Sequence, residues 1–94
     1  MLTLSEIKND LRIDHDYDDN YLTTLLNASK LFILGTVNLP EVTYKDDERF
    51  DTLQFMLVSL WYENRVPATN AMQQVPYTIN AMIHQLRGVI NDKG

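Results

Sequence analysis

Residues 47–65, DERFDTLQFMLVSLWYENR, decide the fold. Phe50, Leu53, Leu57, Leu60 and Trp61 recur at spacings of three and four, the period of one helix face. Phe55, Val58 and Tyr62 form a second apolar stripe on another side, leaving Thr52, Ser59 and Glu63 as a narrow polar strip. A helix that is apolar nearly all round is covered on several sides. The chain has 94 residues, and a domain of that size buries only roughly 60 to 65 per cent of the surface its unfolded form exposes. One modest core is expected, so the stretch predicts a long central helix, a subunit interface, or both.

Working outward, Thr3-Leu4-Ser5-Glu6 has the capping-box form, in which a hydroxyl and a carboxylate each satisfy an orphan N–H. Leu4, Ile7 and Leu11 then share one side of a helix over about 4–11. A second helix is expected over about 19–34, with Asp18 and Asp19 as caps at its positive end and Gly35 as its stop. Leu22, Leu25, Leu26, Ser29, Phe32 and Ile33 make its core stripe, whereas Leu31 and Leu34 face the opposite way and stay exposed in a lone subunit. TVNLPEVTYKD, residues 36–46, reads as an extended connector with room for one short strand. The third helix spans about 47–65 and is ended by Pro67. VPATNAMQQ is a loop, and Pro76 opens a fourth helix over about 77–88 with Ile79, Met82, Ile83 and Leu86 inward. The tail VINDKG is expected to fray. The fold class is all-α: a single domain over 1–94, a small bundle of about four helices with a long central third helix and an extended connector between helices two and three.

Composition narrows the function. The formal net charge of -5 repels a phosphate backbone, and the eight basic residues are scattered from Lys8 to Lys93 rather than clustered as in proteins that grip nucleic acid. With no cysteine there is no disulfide framework and no thiolate metal site. No run approaches the roughly 18 apolar residues that span a membrane. MLTLSEIKNDL lacks the continuous apolar run of a secretory signal, which leads to the expectation of intracellular synthesis.

RIDHDYDD, residues 12–19, packs four aspartates around a histidine, and Asp14, Asp16 and Asp18 are spaced like the start of a calcium loop. Such a loop needs glycine at its sixth position and glutamate at its twelfth, which here are Asp19 and Leu25. Both tests fail, and the structural reading is a solvated turn that caps helix two. His15-Asp16 resembles one pair of a phosphohydrolase metal centre, but His84 is the chain's other histidine and sits on the outer side of helix four. Ser5, Ser29 and Ser59 all fall inside helices rather than on a tight nucleophile turn, and no glycine-rich phosphate loop exists. No enzyme, cofactor site or metal site is read here. WYENR, 61–65, remains: Trp61 as a core anchor, Arg65 at the negative end of a helix dipole, and Tyr62 with Arg65 as residue types that dominate interface hot spots. The candidate subunit or partner interface is therefore Leu31, Leu34, Phe55, Val58, Tyr62, Arg65 and Met72, and the candidate helix caps are Thr3, Glu6, Asp18 and Asp19.

MLTLSEIKNDLRIDHDYDDNYLTTLLNAS, LVSLWYENR and VPYTINAMIHQLR, taken in order and spacing, resemble the head-to-tail connector proteins of long-tailed bacteriophages, also called head-completion, adaptor or DNA-packaging proteins. The resemblance implies an all-helical protomer of a homo-oligomeric ring of twelve copies. That ring would sit below the capsid portal protein and bridge it to a tail-side stopper or tail-completion protein. DNA would pass through without specific binding, no membrane would be engaged, and the place would be the virion head-tail junction after synthesis in the host bacterial cytoplasm. No catalytic residue and no cofactor are implied, and RIDHDYDD matches the family's turn between helices one and two, where it looks like a cap rather than a ligand set. The short loop at 66–75 and the short C-terminal tail depart from what a portal-gripping element would need. An alternative of a different class is a small helical regulatory module that binds a host protein through the aromatic surface.

Overall fold

The computed structural model describes residues 2–37 and 47–93. Among the described residues four α-helices form, α1 (Leu4–Asp10), α2 (Asp19–Val37), α3 (Glu48–Glu63) and α4 (Tyr77–Lys93), with a 3-10 helix at Ala68–Gln73 between the last two. No strand occurs among the described residues. The all-α bundle read from the sequence is thus the fold. Of the extended connector assigned to 36–46, Thr36 and Val37 belong instead to α2, and 38–46 lies outside the described residues.

α1 starts on a completed capping box: the Thr3 hydroxyl accepts from Glu6 N at 3.2 Å, and the Glu6 carboxylate accepts from Thr3 N at 3.0 Å. It ends at Asp10 with Leu11 as its C-cap, after which Arg12 turns left-handed at φ 58°, Arg12 N donates to Asn9 O and Ile13 N to Lys8 O. α3 ends the same way. Arg65 takes φ 50°, its N–H donates to Tyr62 O at 3.2 Å, and Val66 N–H donates to Trp61 O at 2.9 Å. This is the Schellman pattern, with arginine where glycine is the usual residue. The left-handed turn therefore stops α3 ahead of Pro67, slightly earlier than the sequence reading of Arg65.

Two other helix ends differ from expectation. α2 runs through Gly35 to Val37, because Val37 is fully buried one turn beyond buried Ile33 and packing outweighs the weak helix propensity of glycine. α4 likewise runs through Gly88 to Lys93, where the sequence suggested a frayed tail. The 66–75 loop is tightened into its 3-10 turn by the Trp61 indole, whose Nε1 donates to Gln74 O at 2.9 Å over buried Ala71.

The central helix is α2, not α3. At 19 residues against 16 it is the longer, and it packs against α1, α3, the 3-10 helix and α4 alike. Leu22, Leu25 and Ile33 meet Phe50, Leu57 and Trp61 of α3 and Ile83 of α4 in one core, closed on the α1 side by Ile7. Each such side chain contributes about 1.5–3 kcal/mol by leaving water, so this contact network, rather than any surface pair, supplies the bulk of the stability. Val58, assigned to the candidate interface from the sequence, is fully buried and is corrected to core. On a helical wheel it lies only about 60 degrees from Trp61, inside a buried arc about 140 degrees wide that two packed neighbours create.

One polar side chain sits in the middle of that arc. Gln54, 2% exposed, donates from Nε2 to Leu26 O at 3.1 Å and accepts Leu2 N–H on Oε1 at 3.0 Å, which ties the N-terminal segment and the middle of α2 to α3. Replacing it with leucine fits the volume but strands both partners, and an unpaired buried backbone group costs about 1–3 kcal/mol. Gln54→Leu is therefore expected to lose about that much in urea denaturation despite its gain in apolar character. An unchanged midpoint would show that these hydrogen bonds are not made.

Candidate functional site

Asp18 and Tyr21 stand one turn apart at the start of α2, and Tyr62 and Arg65 stand one turn apart at the end of α3. The bundle brings the two pairs together. Asp18 Oδ2 accepts from the Tyr62 hydroxyl at 2.7 Å and from Arg65 Nη2 at 3.1 Å, and Oδ1 lies 3.3 Å from Arg65 Nη1. The Tyr21 hydroxyl donates to Val66 O and, at 3.3 Å, to Trp61 O, filling carbonyls at the end of α3. The Arg65 guanidinium lies 4.9 Å from the Tyr62 ring centre and 5.7 Å from that of Tyr21, within range of cation–π attraction.

Electrostatics follow from these contacts. The guanidinium of Arg65 first, and then the Tyr62 hydroxyl, hold the Asp18 carboxyl below the usual carboxylate range, and Arg65 is raised in return. The Asp18 hydrogen bond pushes the Tyr62 phenol up, and burial does the same for Tyr21. The Asp18 side chain is 13% exposed and the Arg65 side chain 61%, so solvent reaches the pair from the arginine side.

The rest of the acidic turn faces the other way. Lys8 Nζ of α1 lies 2.7 Å from Asp16 Oδ1 and 2.8 Å from Asp19 Oδ1, and both carboxylates raise the lysine's pKa. His15 stacks on Tyr17 with ring centres 3.6 Å apart. The knot is thus divided: Asp18 reaches α3, while Asp16 and Asp19 reach α1. Asp18 caps α2 only through its backbone carbonyl, which accepts from Leu22 N at 2.8 Å; its carboxylate is an anchor between helices, not the side-chain cap the sequence suggested.

Among the described residues no group of three or more His, Cys, Asp or Glu is placed to hold a metal ion. A cavity of about 370 Å³ beside Trp61 is lined by Leu60, Asn64, Gln73 and Gln74 with no ionisable group. The arrangement binds helix to helix.

The remaining candidate interface residues differ in exposure. Leu31 on α2 is 60% exposed and Met72 on the 3-10 helix 43% exposed, on separate elements. Leu34, Phe55 and Tyr62 are half-buried against the core, and Arg65 is exposed but engaged by Asp18. Tyr21, Lys8 and Gln54 escaped the sequence reading. The available signal was the spacing of three within Asp18/Tyr21 and Tyr62/Arg65, which puts each pair on one side of a helix end.

Because the folded Asp18 pKa lies below its unfolded value, the clasp's contribution is complete above about pH 4 and is lost as pH falls through the lower folded pKa. Asp16 and Asp47, also lowered by cationic partners, titrate in the same window. Asp18→Asn is expected to lower the melting midpoint at neutral pH and to make its acid-side fall shallower without abolishing it. An acid limb as steep as that of the parent chain would remove Asp18 from this role.

No curated protein matches the chain, and no solved structure does. Residues 1–87 match the family described as phage gp6-like head-tail connector protein, which spans α1, α2, α3, the 3-10 helix and most of α4. The chain belongs to the phage gp6-like head-tail connector family.

Proposed function

We propose that the protein is a structural component of a phage virion that assembles into a ring of identical copies at the head-tail junction. It joins the capsid portal to the next tail-side protein, and DNA passes through the middle. The observation that carries this reading is the family match over residues 1–87, with the bundle itself inside the matched region. Twelve copies are the number proposed for the ring in the virion.

Surface chemistry supports the reading. Leu31 and Met72 are apolar side chains that the single subunit leaves in water on two different elements. A head-to-tail contact between unlike patches closes into a ring when the rotation allows. The net charge of -5 disfavours retention of a phosphate backbone, which suits a conduit that DNA slides through. The clasp between α2 and α3 gives the subunit a fixed shape to repeat. The role is structural: the ionisable groups at the clasp are spent on one another, which leaves no free acid, base or nucleophile there.

Mixing the purified protein with portal rings and viewing the product by electron microscopy tests the proposal. Annular density added to one face of the portal is expected, together with oligomers that grow with protein concentration. A protein that stays single at high concentration and leaves the portal bare would contradict it.

A further inference from the structure

Leu31 is, among the described residues, the one leucine, isoleucine, valine, phenylalanine or tryptophan left exposed; the other large exposed apolar residues are tyrosines and methionines. It lies on a stripe of α2 with Thr24, Asn27 and Gly35, all exposed and uncharged. Gly35 has a helical backbone without positive φ, and a Cβ added there meets nothing within 4 Å. Glycine is the weakest helix former after proline, yet neither conformation nor crowding inside the subunit calls for it. Gly35 therefore leaves the surface of α2 bare one turn from the uncovered leucine.

The same chain carries a matching recess. A cavity of about 230 Å³ opens between α3 and α4, walled by Leu53, Met82 and Leu86 with Thr52 and Arg49 at its rim. The Arg49 guanidinium is drawn to Asp47, Nη2 to Oδ2 at 2.7 Å, so the floor is apolar. The recess has room for one branched aliphatic side chain, and Met82 at its wall is 39% exposed.

The geometry points to a heterologous contact between copies of this chain, in which Leu31 of one subunit seats in the Leu53–Met82–Leu86 recess of the next and the Gly35 turn lets the two backbones approach. This rests on the ring reading above and assigns its surfaces. A projection and a recess on different helices of one chain form the unlike pair that a ring requires, whereas a self-paired α2 stripe would stop at a dimer.

The parent chain has no cysteine, so introduced ones report position cleanly. Leu31→Cys with Met82→Cys, both at exposed positions, is expected under mild oxidation to give a covalent ladder beyond the dimer on a non-reducing gel, while neither single variant gives one. Gly35→Ala is expected to raise the melting midpoint of the subunit yet weaken its association by about tenfold or more. Dimers from Leu31→Cys alone would overturn the contact in favour of a symmetric one. A double variant that stays single-chained while the parent forms oligomers in sedimentation would overturn it and leave the ring standing. A parent chain that never oligomerises, alone or with portal, would overturn both.

Discussion

The carboxylate of Asp18 holds the start of α2 to the end of α3, and much of the subunit's shape depends on that junction. Arg65 reaches Asp18 from a left-handed turn, and the same turn ends α3 and sends the chain back toward α2. Trp61 sits inside this corner, its carbonyl accepting from Val66 and Tyr21 and its indole holding Gln74. From Gln74 the chain enters α4, so the placement of the last helix is inherited from the corner. Burial of large apolar side chains, at about 1.5–3 kcal/mol each, outweighs what surface ion pairs add. The core therefore supplies stability, and the clasp supplies register.

Division of the acidic turn gives the clustered aspartates a structural role. The chain between α1 and α2 must be held on two sides. Lys8 draws Asp16 and Asp19 toward α1, and Arg65 draws Asp18 toward α3. Asp16 and Asp19 share the ammonium of Lys8 and Asp18 takes the guanidinium of Arg65, so like charges that would repel one another are drawn to opposite sides of the turn. In the proposed ring such a corner would matter, because small changes in helix angle accumulate from copy to copy.

Much of this was legible in the sequence. Helical period, the Thr3–Glu6 box and the apolar density of 47–65 led to an all-α bundle, and Trp61 was read as a core anchor. Val58 was misplaced because a wheel drawn for one helix does not reveal that α2 and α4 cover α3 from two sides. Gly35 was read as a stop because the burial of Val37, which carries α2 onward, is a tertiary fact. Tyr62 and Arg65 were recognised as unusual at a helix end, but their partner Asp18 lies 44 and 47 residues away, and nothing local links them. Gln54 stayed hidden among apolar neighbours, since its partners are backbone groups that composition does not display.

A double-mutant cycle on Asp18 and Arg65 tests the clasp most directly. Asp18→Asn, Arg65→Gln and the pair would be compared by urea denaturation at neutral pH, beside the same cycle on Lys8 and Asp16, whose aspartate side chain is 87% exposed. A favourable coupling between Asp18 and Arg65 that clearly exceeds the one between Lys8 and Asp16 is expected. Strict additivity at Asp18 and Arg65 would contradict it, for the two helix ends would then be held by the core alone.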